Sequence, residues 1–252
     1  MKKEIIFHED FYRVYAHDPA AEPGRMEAII EDLSDFDIIT PESAQDEDIL
    51  LVHTENHLAR VKDDWEQVYF IAALSTGGAI LASEYALNNK PIFAVIRPPG
   101  HHASPEGYWG FCYFNNIAIA IQKLLDENKI TKAAIIDFDL HYGDGTSNTF
   151  SSNANVNYYS GQGRTNEQFI QNLKDHLSDM QDIDILGVSA GFDRGIDDWG
   201  GLLAITDYHE IGKILKDFTK EKCHGRRFAV LEGGYNHRVL GKNVRAFIEG
   251  FY

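Results

Sequence analysis

Apolar positions recur along the chain with two periods. Short runs rich in Ile, Val, Phe and Ala are spread over its length, and longer stretches with helical spacing follow most of them. The runs predict strands over 4–8, 49–52, 91–96, 133–138, 155–159, 183–189 and 228–231, and the helical spacing predicts helices over 24–33, 65–88, 114–128, 165–181, 206–221 and 237–250. Most of the strand candidates are apolar on both faces, which suits a parallel sheet covered by helices on both sides. The fold class is therefore α/β. No internal repeat, low-complexity tract or long Pro/Ser/Gly linker divides the sequence, so one domain over 1–252 is expected.

In open parallel sheets, ligands gather where the carboxyl ends of strands lead into loops. Four such ends carry polar clusters: Arg97-Pro98-Pro99-Gly100-His101-His102, Asp139-Leu140-His141-Tyr142-Gly143-Asp144-Gly145, Ala190-Gly191-Phe192-Asp193 and Glu232-Gly233-Gly234-Tyr235-Asn236. A shared site is implied.

Composition narrows what that site handles. The 252 residues are 44% apolar and 25% charged, the profile of a globular chain, with a net charge of −16. Such a charge repels nucleic acid and anionic lipid and favours a cationic substrate. Two cysteines, Cys112 and Cys223, cannot build a disulfide framework, which points to a reducing compartment and a cytoplasmic location. The apolar Ile5-Ile6-Phe7 ends at once in His8-Glu9-Asp10, so no secretory leader is expected. The most apolar long stretch, 70–82, is about a dozen residues, short of the roughly 20 that span a bilayer, and no membrane association is expected.

The chemistry lies in Asp137-Phe138-Asp139-Leu140-His141. If this segment stays extended, residues two apart project to one face and align two carboxylates with an imidazole. Oxygen and nitrogen donors without thiolate suit zinc at a catalytic site, or manganese or iron(II), and Asp193 is the candidate third ligand. Three protein ligands leave a position for water, whose pKa the ion lowers. The adjacent His101 and His102 follow a stiff Pro98-Pro99 and could carry protons, with Asp137 and Asp144 available to fix their tautomers. Tyr235 could place a phenol against a developing oxyanion. His53 and His57 have the spacing of a helical zinc motif, but the glutamate is misplaced, and Cys112 among aromatic neighbours reads as a packed, inert thiol. Asp197-Asp198 reads as a solvated loop.

Taken together, the motifs around Arg97 to Ala103, Gly110-Phe111-Cys112-Tyr113-Phe114-Asn115-Asn116, Asp137 to Thr146, Ser189-Ala190-Gly191-Phe192-Asp193 and Leu231-Glu232-Gly233-Gly234-Tyr235-Asn236 resemble the zinc-dependent histone deacetylase and acetylpolyamine amidohydrolase superfamily. The resemblance implies the three-layer α/β/α arginase/deacetylase fold with a mainly parallel sheet of about eight strands. It implies Asp139, His141 and Asp193 as zinc ligands, with iron(II) as the alternative ion in the cell. His101 and His102 become the paired imidazoles, backed by Asp137 and Asp144 respectively, with His102 as general base and then acid. Tyr235 polarises the amide carbonyl, and Gly110 and Phe111 form one wall of the acyl-lysine tunnel. The substrate would be an acetylated amine, either N-acetyl-lysine of a protein or an acetylpolyamine. A potassium ion is implied near the backbone of 137–141, with Ser160 loosely matched as a further ligand.

Three departures from the family pattern stand out. The loop that carries an acidic substrate-orienting residue is trimmed to Lys62-Asp63-Asp64. After the strand at 155–159 the chain enters a helix almost directly through 160–164, which leaves the tunnel expected to be open on that side. Tyr142 stands where many relatives have a second His. Two other readings compete: a two-manganese ureohydrolase of the same fold, and a degenerate module that binds acetylated amines without hydrolysing them.

Overall fold

The computed structural model describes residues 3–64 and 66–252. Seven strands form one parallel sheet: β1 (Glu4–Ile6), β2 (Asp37–Ile39), β3 (Ile92–Ala94), β4 (Ala133–Asp137), β5 (Val156–Ser160), β6 (Ile185–Ala190) and β7 (Arg227–Leu231). Their spatial order is β2-β1-β3-β7-β6-β4-β5. Strands β3, β4, β6 and β7 are buried at every residue, as their mostly apolar runs suggest.

The helices are α1 (Arg25–Asp32), α2 (Asp46–Ile49), α3 (Glu55–Asp64), α4 (Glu66–Leu87), α5 (Asn116–Asp126), α6 (Asp144–Phe150), α7 (Asn166–Ser178), α8 (Ile205–Lys222) and α9 (His237–Phe251). Helices α4 and α5 pack together, α4 lying along β3 and β7 and α5 against β6; α8, α9 and α1 form a second group. From that group Phe247 reaches the rings of Phe93, Phe138 and Phe192. The result is the expected three-layer α/β/α arrangement.

Most elements lie within one to three residues of where the pattern puts them. The exceptions have physical causes. The strand expected at 49–52 is the end of α2 and the turn after it, because Gln45 and Asp48 cap the backbone there: Gln45 N–H donates to the Asp48 carboxylate at 3.1 Å. A four-residue apolar run does not by itself distinguish helix from strand. The edge strand β2 escapes notice because it has three residues and leaves Ile38 half exposed. The trimmed segment Lys62-Asp63-Asp64 is the last turn of α3, with Lys62 paired to Asp46. Trp65, at the start of the helix expected over 65–88, lies outside the described residues, as do Met1 and Lys2.

Helix α4 is also longer than its most apolar stretch suggests. The Gln67–Leu87 segment is long and apolar enough to cross a membrane by length and composition, but 72% of its most apolar window is buried inside the fold. Its apolarity is accounted for by its place against the central strands.

The order of the strands decides where the loops meet. β3, β7, β6 and β4 are four neighbours, and they are the four strands whose carboxyl ends carry the polar clusters.

Candidate active site

Strand β4 stops at Asp137, so the row of alternating residues is not built by extended backbone. Successive carboxylate-to-backbone turns build it instead. Asp139 N–H donates to Asp137 Oδ1 at 3.1 Å, and His141 N–H donates to Asp139 Oδ1 at 2.9 Å. Asp193 arrives from the end of β6, held by Leu140 N–H on its Oδ1 at 3.0 Å. His141 Nδ1 then lies 3.2 Å from Asp139 Oδ1 and 3.0 Å from Asp193 Oδ2, and donor atoms of all three residues fall within 4.8 Å of one another.

This trio has the properties of a cation site. Asp139 and Asp193 are fully buried, and His141 Nδ1 lies between their carboxylates. Gly233 donates its N–H to Asp139 Oδ2 at 2.9 Å, and a Cβ on Gly233 would stand 2.6 Å from that oxygen, so only glycine lets this backbone approach. Hydrogen bonds that His141 Nδ1–H donates to Asp139 and then Asp193 push its pKa up to about 10. Burial, and then Asp139, lift Asp193 to about 6. Positive charge is thus favoured between the carboxylates, and the oxygen and nitrogen donors fit a divalent metal ion. Another cluster, His101, Cys112 and Glu232, is a poorer host. Burial pushes the Cys112 thiol well up, and Glu232 is already engaged by Gly100 N–H, His101 N–H and the Ser189 hydroxyl.

The two imidazoles sit beside the trio with ring centroids 4.1 Å apart. His101 Nδ1–H donates to Asp137 Oδ2 at 3.0 Å, where the Tyr158 hydroxyl also donates at 3.0 Å. His102 Nδ1–H donates to Asp144 Oδ1 at 2.7 Å. Burial opposes charge on both rings, but Asp139 and Asp137 outweigh it at His101, whose pKa is well above its ordinary value. At His102 burial and the neighbouring His101 prevail and lower it to about 4. The two adjacent rings thus sit in opposite electrostatic settings, His101 favouring the charged form and His102 the neutral one. Burial, then Asp139, keeps the Tyr235 phenol protonated as a hydrogen-bond donor.

His101, His102, His141, Gly110, Phe111 and Tyr235 line one cavity of about 120 Å³. Gly110 has φ +58°, and a Cβ there would overlap the His102 ring. The loop bearing Gly110 is anchored by His53, whose Nδ1–H donates to Ser104 O at 3.1 Å and whose Nε2 accepts from Asn115 N–H at 2.9 Å. His57 stacks on His53 with centroids 4.5 Å apart and donates to Tyr113 O at 2.8 Å. The His53–His57 pair thus fastens the pocket wall.

The sequence matches the model of the histone deacetylase domain over residues 20–169 and 161–251. The chain belongs to the histone deacetylase family. It is 30% identical to a probable deacetylase of Methanothermobacter thermautotrophicus, the alignment covering 98% of this chain and 90% of that protein. It is 28% identical to histone deacetylase HDA1 of Saccharomyces cerevisiae over 85% of this chain and 39% of that protein. The crystal structure of the HDA15 HD domain shares the fold, with a TM-score of 0.86 at 24% identity, covering 98% of this chain and 88% of that one.

Within this histone deacetylase scaffold, two pocket residues, Trp109 and Trp199, and one residue behind the pocket, Asp198, carry no signal that sequence reading could use. Trp109 Nε1–H donates to Asp144 Oδ2 at 2.9 Å while its ring covers His102 at 3.9 Å. Both oxygens of Asp144 are thereby committed. Trp199 stacks on Tyr235 at 4.1 Å and meets His141 edge-on, supplying an aromatic wall that the short 160–164 segment does not. Asp198, read as part of a solvated loop, instead accepts from Tyr235 N–H at 2.8 Å and Asn236 N–H at 2.9 Å through Oδ2. Their partners are distant in sequence, so only the fold brings them together.

Proposed function

We propose that the chain is a metal-dependent amidohydrolase that releases acetate from an acetylated amine, N-acetyl-lysine of a protein or an acetylpolyamine. The observation that carries this reading is the Asp139–His141–Asp193 donor set, whose His141 lines the same cavity as the paired imidazoles His101 and His102 and the Tyr235 phenol. A divalent ion held by that set, zinc or iron(II) in the cell, supplies Lewis-acid polarisation of the amide carbonyl and acidifies a water. His102 Nε2, its tautomer fixed by Asp144, accepts the proton of the attacking water and returns it to the leaving amine nitrogen. The Tyr235 hydroxyl donates to the carbonyl oxygen as negative charge builds there, and charged His101 lies alongside. The two buried free cysteines support a reducing, cytoplasmic setting.

The test is hydrolysis of acetyl-lysine peptide, acetylputrescine and acetylspermidine by zinc-reconstituted protein. Turnover is expected, with Tyr235→Phe lowering kcat by about 10²–10³ and KM little changed, as for loss of one oxyanion donor. The ratio of kcat/KM values assigns the amine. Full turnover by Tyr235→Phe or by metal-free protein would overturn the reading, and tight retention of intact acetyl amide without turnover would move it to a binding module.

A further inference from the structure

The segment that carries two members of the donor trio has its backbone held by one buried side chain. Arg194 is 7% exposed and directly follows Asp193. Its Nη2 donates to Asp139 O at 2.6 Å, Leu140 O at 3.2 Å and Gly161 O at 3.2 Å, and its Nε donates to Phe138 O at 3.3 Å. The guanidinium carbon lies 5.1 Å from the centre of the Phe169 ring. No ion pair joins Arg194 to a carboxylate among the described residues, so carbonyl dipoles and the face of Phe169 solvate this buried charge. Four carbonyl oxygens from two loops converging on one cation is the coordination a bare monovalent ion would receive. This is the backbone around which the family resemblance implies potassium, with Ser160 nearby in register with Asp137. The residues present do not fit that ion, because the guanidinium already occupies the carbonyls of Asp139 and Gly161.

We propose that Arg194 is the protein's own monovalent cation, a positioning residue that fixes the backbone beneath Asp139 and His141, and that the chain has no potassium requirement. The proposal rests on the reading of Asp139, His141 and Asp193 as the metal ligands. A guanidinium tethered to the chain differs from a dissociable ion in two respects. It cannot be removed by dialysis, and through its own residue it ties the Asp193 loop to the Asp139 loop.

The test is thermal unfolding of the zinc-loaded full chain in potassium, sodium and choline chloride at equal ionic strength. The unsubstituted protein should give the same midpoint in all three. Arg194→Ala should fall by roughly 5 °C in choline chloride, having lost several charge-assisted hydrogen bonds, and recover selectively in potassium chloride as the freed carbonyls accept the ion. A midpoint of the unsubstituted protein that rises specifically with potassium would overturn the proposal. A folded Arg194→Ala indifferent to all three salts would overturn it as well. If Arg194→Ala does not fold, zinc release from the unsubstituted protein to a chelator decides: equal rates in the three salts support the built-in cation, and slower release in potassium refutes it. None of these readouts needs substrate, so failure here leaves the deacetylase reading intact, and absence of hydrolysis by protein that binds zinc leaves these readouts unchanged.

Discussion

His101 and His102 are adjacent and chemically alike, yet the carboxylates beside them and their unequal burial push their pKa values in opposite directions. Their candidacy was legible because two imidazoles after a strand end are rare. Which one stays neutral was not, since that depends on Asp139 lying against His101. Glu232 heads one of the polar clusters, but its sequence context is a glycine turn that assigns it no role, whereas its environment is the floor beneath His101. Burial lifts its pKa to about 7, so the folded state holds the proton more tightly than the unfolded chain. A raised folded pKa contributes stability at pH below the unfolded value, and that contribution disappears as pH rises through about 7. Glu232→Gln keeps an acceptor for Gly100 and His101 N–H and can donate to Ser189, so it should gain on the unsubstituted protein by about 2 kcal/mol between pH 5 and 8. Chemical denaturation at the two pH values measures this, and a constant difference would contradict it.

Among the elements, those with long, periodic patterns were readable and those defined by a few hydrogen bonds were not. Helix α9 and strand β6 announce themselves by period, whereas α2 and α6 are short and polar and depend on capping or on the loop before them. The 137–141 segment shows the limit most clearly. Alternation correctly put Asp137, Asp139 and His141 together, but turns rather than strand geometry accomplish it. The 196–201 loop, whose acidic residues suggested only solvation, grips the turn after β7 from outside. Asp198 satisfies two of that turn's N–H groups, and Trp199 stacks on its tyrosine. Asp198→Ala should lower kcat by roughly tenfold through misplacement of Tyr235, while Asp198→Asn, which retains an acceptor, should stay near the unsubstituted rate. Steady-state kinetics on the pair checks this; equal loss in both variants would assign the effect to charge rather than to backbone position.

For the whole molecule, the strand order sets four chemically different loops side by side, and the net charge of −16 surrounds them with a negative field. That field raises the local concentration of cations and is screened by salt. KM for the cationic acetylputrescine should therefore climb as ionic strength increases, whereas KM for an uncharged N-acetyl amide should stay nearly level. Michaelis curves at low and high salt give the comparison, and parallel behaviour of the two substrates would remove any part for the global charge. The pocket also has a spectroscopic consequence. Of the three tryptophans, Trp109 and Trp199 both border the cavity, one against an imidazole and one against a phenol. Two of the three indoles thus border the pocket, and filling it should change the intrinsic emission of the unlabelled protein.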